Sequence, residues 1–282
     1  VKFEGFNNPY CLDWSGAYSE LEGSLMSLVY EAAEETLKSY NSRINRILLA
    51  TQSHWLGTEF DAEKIDTLKR TLGIPNVSSA SVGLGFCDNF HTVIEIGAAL
   101  LARDGGSILV IHCDACNPAE PRVLSGSAGI LSDGVASYVL TATEHGESPR
   151  YAVMATALAA VSLLGVVGRP EAYEADQVAE LANLIYTIQN LRSALAARGC
   201  SSKPDFVITS NYKPEVIELF STLVSDSKDA YNSHIAESIG HVFSADAAIS
   251  IAHRLPESRV GEIGYIFSNG PLSVGLSAIR RV

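Results

Sequence analysis

The sequence predicts an α/β fold made of two related halves, and three observations predict it. Apolar runs of strand length alternate with amphipathic helical runs along most of the 282 residues. A small-residue strand, Val77-Ser-Ser-Ala-Ser-Val82, passes through Gly83 and Gly85 to a cysteine, Cys87, at the head of an apolar helix. The order helix, strand, helix that opens the first half then recurs in the second: Ile44-Asn-Arg-Ile-Leu-Leu-Ala-Thr51 is echoed by Asp205-Phe-Val-Ile-Thr-Ser210.

The elements follow in order. Residues 1–22 are aromatic and turn-rich and take no assignment. From Ser24 to Tyr40, Leu25, Leu28, Val29, Ala32, Ala33, Thr36 and Leu37 share one helical face. Ile44–Thr51 reads as a buried strand, and Asp61–Leu72 as an amphipathic helix stopped by Gly73 and Pro75. After Cys87, the residues Phe90, Val93, Ile94, Gly97, Ala98 and Leu101 keep helical spacing. The strand Ser107–His112 follows Asp104-Gly-Gly106, and the strand Val135–Thr141 follows Asp133-Gly134. In the second half a long helix spans Ala175–Arg198, the strand Asp205–Ser210 comes next, and a helix covers Glu215–Val224. Ile263–Phe267 and Leu276–Arg280 close the chain as a hairpin-like pair.

Composition bounds the function. Hydrophobic residues make up 47% of the chain, enough for one large core or two medium ones. A net charge of −12 excludes a broad basic footprint for nucleic acid. The apolar stretch Tyr151–Val167 is short of the roughly 18–20 residues of a membrane span, and Gly165 interrupts it, so it reads as a buried strand and connection. No signal peptide opens the chain, although a start on Val-Lys-Phe is compatible with trimming. Five cysteines give no even disulfide framework, which suits reduced thiols in the cytoplasm. Cys113-Asp-Ala-Cys116 lacks a second ligand pair, so no metal site is assigned.

Three polar loops stand where buried strands end: Cys87, Thr209-Ser-Asn211, and Gly240-His241 with Asp246 beyond it. Taken singly, Cys87 is one more small buried residue and His241 a satisfied core histidine. Taken together, they supply a nucleophile at a helix N-terminus, a base and an amide donor, the set that acyl transfer needs. Asp246 either orients His241 through its other ring nitrogen or caps a helix. His54 and Trp55 follow the first strand and suit an acyl tunnel or a dimer interface, and His91 packs within the central helix.

From about Ser24 onward the chain resembles the thiolase superfamily, and within it the β-ketoacyl-ACP synthase III-like enzymes. Cys87-Asp-Asn-Phe90 resembles the family's Cys-Ala-Gly-Phe, and Val110-Ile-His-Cys-Asp114 its Val-Val-Gly-Ser-Asp. Ser132-Asp-Gly-Val-Ala-Ser-Tyr-Val139 resembles Gly-Asp-Gly-Ala-Gly-Ala, and Ser268-Asn-Gly-Pro-Leu-Ser-Val-Gly275 the terminal glycine-rich turn. Two positions depart from the pattern. Synthase III enzymes place a histidine after the second-half strand and an asparagine about thirty residues later. Here Asn211 comes first and His241 second, as in thiolases, with Ser210 the alternative to Asn211 under a one-residue shift. The second cysteine of true thiolases is missing, since none follows Cys200.

The resemblance implies a thiolase fold of five layers, αβαβα, with a half over residues 1–150 carrying Cys87 and a half over 151–282 carrying the Asn and His loops. It implies that Cys87 takes an acyl group from acyl-CoA or an acyl-carrier protein, with His241 as base and Asn211 as donor to the second thioester or to a water. The N–H groups of Cys87 and Gly270 would form the oxyanion hole. No permanently bound cofactor is implied, CoA or phosphopantetheine thioesters being substrates. A homodimer, or a heterodimer with a related chain, is implied as well, in fatty acid, polyketide-type or secondary metabolism. Acyl transfer leads. Decarboxylative condensation, hydrolysis, and service as a non-catalytic partner subunit are the rivals.

Overall fold

The computed structural model describes residues 20–21, 23–53, 61–116, 122–124, 128–142, 150–161, 174–226 and 233–282. Most of residues 1–22, together with His54, Trp55 and positions 162–167 of the apolar stretch, lie outside them.

The first half runs α1 (Leu25–Lys38), β1 (Arg46–Ala50), α2 (Ala62–Thr71), β2 (Ser78–Val82), α3 (Asn89–Asp104), β3 (Ser107–Asp114) and β4 (Gly134–Thr141). The rest runs β5 (Tyr151–Ala160), α4 (Glu174–Ala197), β6 (Phe206–Ile208), α5 (Pro214–Ser225), α6 (Ser233–Ile239), α7 (Ala245–Arg254), β7 (Ile263–Asn269) and β8 (Ser273–Arg281). Among the described residues these strands form two four-stranded sheets, in the orders β2-β1-β3-β4 and β5-β8-β7-β6.

The duplication is carried by the pairing. β1 lies parallel to β3, which lies antiparallel to β4. In the same way β6 lies parallel to β7, which lies antiparallel to β8. The helices sort into three layers around the two sheets. α1 packs on β3, β4 and α2 outside the first sheet, while α4 and α5 pack outside the second. α3 and α7 lie between, touching each other and both sheets. The architecture is therefore αβαβα.

Why the strands sit where they do follows from their alternation. In β1 and β3, Leu48, Ala50, Ile108 and Val110 turn inward to Val93 of α3, and Ile47, Leu49, Leu109 and Ile111 turn outward to Leu25, Val29 and Ala33 of α1. A middle-layer core joins the halves: Phe90 and Ile94 of α3, Phe206 and Ile208 of β6, Ala247 of α7, Ile266 of β7 and Ile279 of β8. The helices are bounded as their sequences dictate. Ser24 Oγ accepts from the Met26 amide and Asp61 Oδ1 from the Lys64 amide, each an N-cap. Pro214 occupies the first turn of α5, where its missing N–H costs nothing. The long apolar stretch begins as β5, on the edge of the second sheet. Among the described residues no helix is long and apolar enough to cross a membrane.

Candidate active site

The site lies at the N-termini of α3 and α7, where the two middle-layer helices meet. Cys87 sits in a 3-10 turn, Phe86–Asp88, that leads directly into α3. The turn is tight and occupied on every side. Gly85 N–H donates to Asn89 Oδ1 at 3.0 Å, and the Asp88 amide donates to the Gly85 carbonyl at 3.0 Å. A Cβ at Gly85 would stand 2.7 Å from Asn89 Oδ1, so a side chain there would push the Asn89 carboxamide from its bond with the Gly85 N–H. The left-handed backbone falls instead on Leu84 (φ 66) and Phe86 (φ 54), one to either side of Gly85. Such strain on non-glycine residues collects at functional sites. Cys87 itself is half-buried.

His241 is delivered by the other half of the molecule and pinned by the first. Its N–H donates to the Ile130 carbonyl at 2.7 Å, and its carbonyl accepts from the Ser132 amide at 2.8 Å. The imidazole packs against the rings of Tyr212 (centroids 5.1 Å apart) and Phe243 (5.6 Å). Its Nε2 is 3.0 Å from Cys87 Sγ. Its Nδ1 bonds Asp246 Oδ2, so Asp246 does orient the ring. Ser244, the residue before α7, makes no side-chain cap, and Asp246 lies inside the first turn.

Asp246 is held from three further directions. Oδ2 also accepts the Asn211 amide at 2.8 Å, and Oδ1 accepts Val242 N–H at 2.6 Å and Asn211 Nδ2 at 3.0 Å. These bonds fix the carboxyl group against the His241 ring. Burial works against charge on His241. The Cys87 sulfur and Asp246 outweigh it and hold the imidazole well above its ordinary value. The chain thus places a cysteine, a histidine and an aspartate in one line, 154 and 5 residues apart in sequence.

Two of the expected donors already have partners. Asn211 gives its backbone N–H and one Nδ2 hydrogen to Asp246, so it braces the carboxylate. The short β6 explains this: it ends at Ile208, and Thr209–Asn211 bend toward α7 instead of extending the strand. Gly270 does not present its N–H to the site. That group donates to the Ser273 carbonyl at 2.8 Å and closes the β7–β8 hairpin. Gly270 is needed for closeness, because a Cβ there would stand 2.2 Å from the Gly85 carbonyl. Ser210 is buried, and its Oγ has no partner of normal geometry among the described residues.

Sequence reasoning passed over Tyr212 and Asp88. Tyr212 is 7% exposed, with its hydroxyl 3.3 Å from Asn269 Oδ1 and 3.5 Å from the Asn269 carbonyl. An aromatic one residue past a polar strand end was the available signal. Asp88 is fully buried beside the nucleophile, and neither carboxyl oxygen has a hydrogen-bond partner among the described residues. Burial pushes it up to about 8, the nearby Ser273 hydroxyl pulling the other way and Glu95 adding to the rise. Gly275 makes room for it: a Cβ there would stand 2.2 Å from Asp88 Oδ1.

The remaining candidates serve the frame. His91 bonds Ser277 Oγ at 2.7 Å, and His112 bonds Ser244 Oγ and the Tyr138 hydroxyl, each at 3.0 Å. Burial keeps both imidazoles neutral, down at about 3, with His112 adding to the effect on His91. Cys113 and Cys116 are buried free thiols, the second pushed up to about 12 chiefly by burial. Among the described residues no cluster of three or more His, Cys, Asp or Glu side chains is arranged to hold a metal.

No family model matches the chain, and comparison with curated proteins finds no match. Solved structures do match. ChlB3, described as an acyltransferase, aligns with a TM-score of 0.78 at 17% identity, over 95% of this chain and 87% of that one. The 3-oxoacyl-(acyl carrier protein) synthase III FabH of Pseudomonas aeruginosa PAO1 aligns at 0.68 and 20% identity, over 92% and 84%. AbyA1, described as a tetronic acid condensing enzyme, aligns at 0.71 and 17%, over 94% and 91%. The fold is the thiolase fold of the synthase III type.

Proposed function

We propose that the chain is an acyltransferase that loads an acyl group from a thioester, acyl-CoA or acyl-carrier protein, onto Cys87 and passes it to a second acceptor. One observation carries the reading: Cys87, His241 and Asp246 form a continuous hydrogen-bonded relay on a fold shared with acyltransferases and condensing enzymes. In the first step His241 Nε2 holds the proton from Cys87, and the sulfur attacks the thioester carbonyl. The carbon–sulfur bond to the carrier breaks, and the leaving thiolate takes the proton from His241. In the second step an acceptor X–H attacks the acyl-cysteine, its proton goes to His241, and Cys87 leaves. The backbone N–H of Cys87 is the oxyanion donor nearest the nucleophile. Asp246 holds the imidazole in the right tautomer throughout.

Plain transfer is favoured over decarboxylative condensation by the state of Asn211. An enolate needs strong donors, and one of the two Asn211 Nδ2 hydrogens is already given to Asp246 Oδ1. A non-catalytic partner subunit has no use for a complete relay. The test is intact-protein mass spectrometry after incubation with a panel of acyl-CoAs and acyl-carrier proteins. One acyl mass on the wild type and none on Cys87→Ala is the expected result. No adduct from any donor on a protein whose Cys87 still alkylates overturns it. Release of free acid without any acceptor would make the protein a hydrolase.

A further inference from the structure

Two of the three groups expected as donors at the site already have partners. Gly270 N–H closes its hairpin and Asn211 serves Asp246. The hydroxyl of Tyr212 is held only loosely at the site, since its contacts with Asn269 are long at 3.3 and 3.5 Å. Its position follows from its neighbours. The ring lies against His241, whose far nitrogen is 3.0 Å from Cys87 Sγ. Its hydroxyl ends at Asn269, and the next residue, Gly270, packs on the Gly85 carbonyl and Phe86 Cβ, in the turn that carries Cys87. The phenol is therefore set between the base and the hairpin that abuts the nucleophile's own turn.

We infer that the Tyr212 hydroxyl is the second oxyanion donor of this site, taking the place that the Gly270 N–H vacates. When Cys87 Sγ bonds to the acyl carbon, the carbonyl electron pair moves onto oxygen. The phenol turns its hydrogen from Asn269 to that oxygen and keeps its proton. When the carbon–sulfur bond to the carrier breaks, the pair returns and the phenol swings back to Asn269. The environment suits a group that must donate and never ionise. Burial first, then the Cys87 sulfur and Asp246, hold the phenol well above its ordinary range, while Ser210 and Asn269 pull it the other way. Ser210 Oγ, with no partner of normal geometry among the described residues, lies close enough to back the phenol from behind. The inference deepens the acyltransferase reading and rests on it.

The test compares two reactions at the same sulfur. Iodoacetamide alkylates Cys87 by displacement at a saturated carbon, with no oxyanion. p-Nitrophenyl acetate acylates it through a tetrahedral oxyanion, followed by release of p-nitrophenolate. Tyr212→Phe is expected to alkylate within about twofold of wild type and to acylate about 10²-fold more slowly. Equal acylation by the variant and the wild type overturns the inference. Parallel loss of both rates overturns it too, since that is what a residue that only packs His241 would do. If Tyr212→Phe does not fold, 3,5-difluorotyrosine placed at position 212 is used. A stronger donor there must change the acylation rate and leave alkylation alone, and no change overturns the inference. A wild type that passes both assays and takes nothing from any CoA or carrier thioester overturns the acyltransferase reading instead.

Discussion

Asp246 uses both carboxylate oxygens, and every one of its partners belongs to the relay or to the strand end beside it. Replacing it with asparagine keeps the shape and presents an N–H where Val242 and Asn211 need acceptors. Asp246→Asn is expected to lower acyl transfer by about 10²–10⁴-fold with little change in KM, measured by steady-state kinetics. Asp88 makes a different prediction. Its folded value, about 8, lies above the ordinary carboxylic value of 3.8, so the folded state binds its proton more tightly than the unfolded chain. That contribution to stability is complete below about pH 4 and is lost as pH rises to about 8. Asp88→Asn removes it. The difference in urea midpoint, wild type minus variant, is expected to fall steadily from pH 4 to pH 8 and then level off. Cys87 and His241 were legible because residue type, a glycine-rich turn and a Gly-His pair marked them. Asn211 was legible as a polar residue at a strand end, but its bonds to Asp246 were not, since the direction of a side chain there depends on where β6 stops.

At the scale of elements, the hairpin between β7 and β8 acts on the entry to α3 by contact alone. Gly270 meets the Gly85 carbonyl so closely that any side chain must displace one of the two backbones. Gly270→Ala is expected to leave the fold intact and to slow acylation of Cys87 by about 10–10²-fold, because a shift near 1 Å at a nucleophile costs that much. The readout is acyl-adduct formation by mass spectrometry beside a thermal melt. Glycines in the Cys87 loop were visible in sequence, but their use was not. Positive φ lies on Leu84 and Phe86, while Gly85 between them takes an ordinary right-handed conformation. Spacing reveals where a turn must be and gives no hint of what presses on it from another element.

For the whole molecule, the alternation of helices and strands and the echo between halves were enough to read an α/β fold of two related halves, and the five layers came from the resemblance. The strand pairings repeat, parallel then antiparallel, in each half. What joins the halves was less legible, since the joining core draws one or two residues from each of five elements, α3 in the first half and β6, α7, β7 and β8 in the second. Ile266, at its centre and fully buried, is the place to test that junction. Ile266→Ala is expected to cost about 2–5 kcal/mol. It should lower the melting temperature while leaving one cooperative transition, as read by calorimetry, since a cut at the shared layer weakens both halves together.

The convergence of two helix N-termini on Cys87 and His241 has a consequence for ionic strength. The positive potential at the sulfur comes from buried backbone dipoles, which dissolved ions reach poorly. The protein as a whole carries a net charge of −12, and the phosphates of a CoA thioester are anionic, so the approach of donor is opposed over distances that salt does screen. Adding salt from about 10 to 150 mM, which shortens the Debye length from about 30 to 8 Å, should therefore raise kcat/KM for a CoA donor and leave kcat nearly flat. Salt becomes a means of separating capture of the donor from the chemistry at Cys87.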